Sequence, residues 1–399
     1  MTQTSILDVD SSKDPMKHIY SLAFNRSTSS TGDTEGCYYI QKQLESVGIE
    51  TQYQYFSFDT PYRILIRIAY VIMLIYLILY RLLLVVAFYF GIKYLFATTR
   101  NYSLVRQEDS KNLLATIPAQ NDTIKRPVII LTAHYDSFSA NIPYRLQNVL
   151  FFIFRIIIIP YFALTLTFSL MLLTRSAIPI INMLNLEQVI LISSIFEFVF
   201  VSIIFLLIYD TKKSKGAIDN ASGVSVLIEI SKYIAEKPLE NYDVIVLFTG
   251  AEEWGLLGSK RYCKRNRKYL RETYDLDRSF NINVDMVGSY VGMIKKKAYY
   301  HKIRKDVPIN EIIDEIARDS NISITKHHKI ISPKTDHKSF KKFARKTRSK
   351  FQVVCFHSVN DSKYIHSRHD TPDKCNPEAL KNAISVIYNS IKRVDSQIV

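Results

Sequence analysis

Apolar residues in this chain fall into three kinds of run. Short runs rich in β-branched and aromatic residues, at 49–58, 113–117, 127–136, 244–248, 280–286 and 351–356, have the length and composition of strands. Between and around them, at 15–24, 35–47, 221–234, 256–265, 309–317 and 377–394, apolar positions recur at helical spacing. Pro15 and Pro377 open two of these helices and Gly48 closes a third. Strands that alternate with helices predict an α/β fold around a largely parallel sheet.

The third kind of run is longer. Residues 64–97 are almost wholly apolar, broken by Arg67, Arg81 and Lys93, and 149–173 and 189–208 are each long enough to cross a ~30 Å hydrocarbon core. The chain then divides into one domain built from residues 1–62, 100–148 and 210–399, interrupted by inserted transmembrane helices at 63–99 and 149–209. Each insertion must return to the side it left, which favours a hairpin for both; a re-entrant or interfacial segment is the alternative for the first. Glu197, inside its span, pairs with Arg155 or stays protonated. Arg63, Arg100, Arg106, Arg145, Lys212, Lys213 and Lys215 flank the spans on the domain side, against Arg81 and Arg175 on the other. That asymmetry predicts a multi-pass membrane protein with its catalytic domain in the cytoplasm. The polar N-terminus predicts no cleaved signal peptide.

The net charge of +15 suits nucleic acid or an anionic surface. Its two basic clusters, 294–305 and 338–350, carry no nucleic-acid recognition motif. No nucleic-acid partner is therefore expected; a lipid bilayer is, with solvated lysines as the plainer alternative. Cys37, Cys263, Cys355 and Cys375 have neither zinc-finger nor disulfide spacing.

Five stretches at strand ends or helix starts offer metal ligands. Glu252 and Glu253 directly follow the strand at 244–248. Adjacent carboxylates repel, so a buried pair needs a cation beside it; a solvated acidic turn is the alternative. With a metal present, one glutamate binds it and the other moves a proton. His134 and Asp136 share one face of a strand end, where a carboxylate can orient an imidazole. Asp219 precedes a helix, Asp285 ends a strand and His366 lies in Y-I-H-S-R-H-D-T-P. Alone, Asp219 reads as well as a helix cap. Together, histidines and carboxylates with one bridging carboxylate describe a two-metal site, and nitrogen plus oxygen donors suit zinc.

The ordered stretches H-Y-D, D-N-A-S-G-V, G-A-E-E-W-G-L-L-G-S, N-V-D-M-V-G, T-D-H-K-S-F and H-S-R-H-D-T-P-D resemble the M28 family of zinc exopeptidases, over residues 15–60, 110–145 and 210–395. The resemblance implies a three-layer α/β/α sandwich around a mixed sheet, and two zinc ions per chain. Asp219 would bridge them, with His134 and Asp285 completing one ion and Glu253 and His366 the other. Glu252 would be the general base and Asp136 would orient His134. His366 is preferred to His369 because the family pattern H-x-x-x-D-T is met by His366, Asp370 and Thr371. The implied activity is a membrane-anchored exopeptidase acting on peptides, an aminopeptidase first. A carboxypeptidase, a glutaminyl cyclase and a non-catalytic scaffold are the alternatives, the last two disfavoured by the complete ligand set.

Overall fold

A computed structural model describes residues 14–59, 108–140, 210–294, 309–327 and 334–397, with isolated positions between 142 and 199. The chain divides into two compact units. One comprises Met1–Phe58, Asp109–Ser139 and Thr211–Val399; the other, Asp59–Glu108 and Ala140–Asp210, lies almost wholly outside the described residues.

The first unit is a mixed α/β fold. Its strands are β1 (Thr51–Phe58), β2 (Glu108–Ile117), β3 (Val128–His134), β4 (Asp243–Thr249), β5 (Phe280–Val284), β6 (Gly292–Ile294), β7 (Thr325–His327) and β8 (Gln352–Phe356). They form one sheet in the order β1-β2-β4-β3-β5-β8-β6-β7. The central four, β4-β3-β5-β8, run parallel, while β2 joins β4 and β6 joins β8 antiparallel. Every residue of β3, β4 and β5 is buried; β3 and β4 therefore read as near-continuous apolar runs, whereas β5 alternates Phe280, Ile282 and Val284 with buried Asn281 and Asn283.

The helices are α1 (Pro15–Leu22), α2 (Thr31–Glu45), α3 (Ser222–Glu236), α4 (Leu257–Arg265), α5 (Arg267–Thr273), α6 (Ile309–Asp319), α7 (His337–Thr347) and α8 (Pro377–Ser396). Alternate strand residues feed the cores on the two faces. Val128, Ile130, Ile245 and Leu247 pack with Tyr262, Leu270, Phe340 and Phe343 of α4, α5 and α7. On the other side α3 lies against β3 and β5 and contacts α1, α2 and α8. Asp14 caps α1 by accepting the Met16 N–H at 2.9 Å, and Asn376 caps α8 through Glu378 at 2.9 Å.

α2 begins four residues before its expected start. Ser30 accepts the Asp33 N–H at 3.2 Å, and Gly32 admits the Asn25 carbonyl to within 1.9 Å of where a Cβ would stand. The basic stretch at 338–350 is largely α7: Phe340 and Phe343 face the core while Lys342, Arg345 and Lys346 are exposed. The other basic cluster lies outside the described residues apart from its first position.

The expectation of a multi-pass membrane protein with a cytoplasmic catalytic domain is overturned. Among the described residues no helix is long and apolar enough to cross a membrane. The longest, α8, has 20 residues but carries Lys381, Lys392 and Arg393 and packs against α3 and α6 as an amphipathic helix. The runs at 63–99 and 149–209, with Arg155 and Glu197, lie almost wholly outside the described residues.

Candidate metal centre and active site

The four parallel strands end along one edge, where open α/β sheets place ligands. His134 is the last residue of β3; Asp285 follows β5 directly; Glu252 and Glu253 follow β4 after Gly250 and Ala251. Asp219 lies in the turn Ala217–Ala221 that opens α3, and His366 in the loop after β8. Gly223, in the first turn of α3, brings that helix start onto β5: a Cβ there would stand 2.4 Å from the Val284 carbonyl oxygen. The backbone is left-handed at Ala251 (φ 52°), Met286 (φ 63°) and His366 (φ 55°). Such conformations cost about 1–3 kcal/mol each, and all three fall on or next to a candidate site residue: Ala251 beside Glu252, Met286 beside Asp285, and His366 itself.

The side chains converge in two groups that share Asp219. In one, His134 Nε2 lies 3.0 Å from Asp219 Oδ1 and 3.8 Å from Asp285 Oδ1. In the other, His366 Nε2 lies 3.4 Å from Asp219 Oδ2 and 3.0 Å from Glu253 Oε2. Asp219 thus turns one oxygen to each group. His369 is exposed and belongs to neither. Glu252 is buried in the same cluster, and its Oε1 has no hydrogen-bond partner.

Two further carboxylates hold the loops. Asp136 Oδ1 accepts the Glu252 N–H at 3.0 Å and Oδ2 accepts the Glu253 N–H at 3.2 Å. Its carboxylate is 3.6 Å from His134 Nδ1, whereas its main-chain carbonyl is 3.1 Å away, so the carbonyl makes the closer contact to the ring. Asp370 accepts the N–H groups of Ile218 at 2.6 Å and Asp219 at 3.2 Å. His357 Nδ1 lies 2.9 Å from the Asp285 carbonyl oxygen.

The charges are mutually compensating. Burial pushes the Glu253 carboxyl up to about 7, with Asp219 adding to the effect and His366 opposing it. Burial also raises Glu252 well above the carboxylate range, reinforced by Asp336, Glu253 and Asp285 and opposed by His134. Asp219 goes the other way: burial would raise it, but hydrogen bonds and charge from His134 and His366 hold it well below the usual range. Burial disfavours imidazolium at His366, yet Glu253 and Asp219 lift it to about 10. His134 is raised in the same manner, burial being overcome by Glu252, Asp136, Asp219 and Asp285.

This donor set suits a divalent cation. Each group offers one imidazole nitrogen and carboxylate oxygens, the potential ligand atoms within each group lie within 4.8 Å of one another, and the surplus carboxylates favour positive charge between them.

Residues 205–391 match peptidase family M28. The M28 match takes in Asp219, Glu252, Glu253, Asp285 and His366, while His134 and Asp136 lie before it. A stretch of 77 residues is 43% identical to Aminopeptidase YwaD of Bacillus subtilis (strain 168), covering 19% of this chain and 16% of that protein. The chain therefore matches less than a fifth of that relative's length. An aminopeptidase from Aneurinibacillus sp. strain AM-1 superposes with a TM-score of 0.56 at 14% identity, over 95% of this chain and 93% of that one. A glutaminyl cyclase from Fimbriiglobus ruber gives 0.57 at 12%, covering 97% and 96%. BSAP, a zinc aminopeptidase from Bacillus subtilis, gives 0.55 at 13%, covering 96% and 94%. At these identities the likeness is one of fold.

Sequence reasoning missed three residues around the M28-like cluster. Asp370 entered only as a spacing marker, although an Asp four residues after a candidate ligand was itself a signal. His357 follows the last residue of β8 and could have been found as another polar residue at a strand end. Arg26, buried in a Ser/Thr-rich loop, gave no signal beyond an arginine next to an Asn.

Proposed function

We propose that this chain is a zinc-dependent aminopeptidase whose peptidase domain is assembled from residues 1–62, 100–148 and 210–399. The observation that carries the reading is Asp219, which turns one oxygen to His134 and the other to His366, with an unpartnered oxygen of Glu252 in the same cluster. His134, Asp219 and Asp285 would hold one ion, and Asp219, Glu253 and His366 a second. Zinc bound there would lower the pKa of a held water towards ~7 and polarise the scissile carbonyl.

The protein's own part is proton movement and positioning. Glu252 Oε1 takes the proton of the attacking water and delivers it to the leaving amine. The hydrogen bond from its own N–H to Asp136 fixes where that carboxylate starts. Asp136 also holds Glu253, so proton acceptor and ligand are set by one clamp.

Glu252→Gln should keep its zinc and lose about 10²–10⁴ in kcat, the usual worth of general acid–base help. Asp219→Ala should lose metal. A Glu252→Gln enzyme as fast as its parent, or an Asp219→Ala protein that retains two zinc ions, would remove the mechanism. Free, N-blocked and C-blocked peptides, with an N-terminal glutaminyl peptide for cyclisation, separate aminopeptidase from carboxypeptidase and cyclase.

A further inference from the structure

Arg26 lies between α1 and α2 and is fully buried. Its five side-chain acceptors are all main-chain carbonyls. Nε donates to Tyr135 at 2.8 Å, Nη2 to Gly216 at 2.8 Å, and Nη1 to Lys215 at 3.0 Å, to Phe24 at 3.1 Å and to Leu22. Its main chain is stitched to the same place: the Arg26 N–H donates to Ser137 Oγ at 2.9 Å, and the Ser137 N–H donates to the Arg26 carbonyl at 3.1 Å. Tyr135 stands between His134 and Asp136. Gly216 stands three residues before Asp219, and a Cβ there would lie 2.8 Å from Arg26 Nη2.

We infer that Arg26 is a positioning residue for the metal site: its guanidinium ties the loop bearing His134 and Asp136 to the loop bearing Asp219. The chemistry requires arginine in particular. Five donors in a rigid plane can bind several carbonyls at fixed angles, which an ammonium cannot reproduce. A buried charge with neutral partners is costly: burial lowers the Arg26 pKa to about 10, with Asp370, Asp136 and Asp219 opposing the effect, so the guanidinium stays charged at neutral pH. The inference rests on the metal reading above.

The test is zinc affinity, measured by chelator competition on folded protein, for the parent, Arg26→Lys and Arg26→Met. Both variants should bind zinc roughly 10–100-fold more weakly, the usual loss when a group supporting a metal ligand is removed. Gly36→Ala is the gentler variant. Its Cβ would stand 2.7 Å from Arg26 Cδ, displacing the side chain without removing a polar group, and should weaken zinc binding too. It decides the matter if the Arg26 variants do not fold. Phe340→Ala, on the opposite face of the sheet, is the control for general destabilisation and should bind zinc as the parent does. Parent-like affinity in Arg26→Lys and Gly36→Ala would overturn the role of Arg26 alone. A parent that takes up no zinc would overturn the metal reading and this inference together.

Discussion

Asp136 and Asp370 do the same job for two different loops of the cluster. Each is fully buried, and each spends both oxygens on consecutive main-chain N–H groups of a loop that carries a candidate ligand. Hydrogen bonds to a charged acceptor are worth about 1.5–3 kcal/mol. Asp136→Asn keeps the shape but turns an NH2 towards one of the two donors. It should cost about 1.5–3 kcal/mol in a urea titration of the zinc-free protein. A change under about 0.5 kcal/mol would mean that solvent or another group holds the Glu252–Glu253 backbone equally well. The candidate ligands were legible in the sequence because each sits in a short stretch whose order resembles a family. Arg26 was not, because its partners are carbonyls, which leave no mark on the side-chain pattern.

The strands and helices differ in how plainly they could be read. β3 and β4 are buried on both faces and stand out as apolar runs. β6 and β7 have three residues each, too few for a period to show. α7 was hidden by its lysines, yet its hold on the sheet is apolar: the Phe340 ring stacks on Phe351 at 6.4 Å and meets Tyr262 at 6.2 Å. Phe340→Ala should cost about 3–5 kcal/mol of unfolding free energy, while exposed Lys342→Ala on the same helix should stay within about 0.5 kcal/mol. Where α1 meets α3 the contact is polar. His18 Nε2 lies 2.6 Å from Glu229 Oε1, and Nδ1 lies 2.8 Å from the Tyr39 hydroxyl of α2. Burial outweighs the hydrogen bond to Glu229 and keeps this imidazole below 6.5, with Lys232 acting in the same direction. On acidification the unfolded chain takes up a proton at His18 before the folded one does. The stability His18 contributes is therefore present above pH 6.5 and lost as pH falls through the folded pKa. Urea midpoints at about pH 7.5 and about pH 5.5 should separate further for the parent than for His18→Gln. Equal separations would assign the acid sensitivity to other groups.

For the whole molecule, the proposed zinc site would make metal binding and folding one equilibrium. A ligand present at 100 times its Kd adds about 2.7 kcal/mol to the folded state. Zinc should therefore raise the thermal midpoint of the parent and a chelator should lower it, while Asp219→Ala should respond to neither. A parent indifferent to both would show that its carboxylates are satisfied by the imidazoles alone. Within the first unit, the parallel strands whose ends carry the candidate ligands are adjacent in space but scattered along the chain.

That scattering has a consequence for the protein's own synthesis. Asp219 has partners at residue 134 on one side and residue 366 on the other. On the proposed reading, a growing chain that has not yet released residue 366 from the ribosome would possess half a centre. An enzyme that cuts peptides would then stay silent towards its own unfinished copies and towards other nascent chains around it. Activity would appear only when the last proposed ligand arrives, and a truncated product would be an inert one.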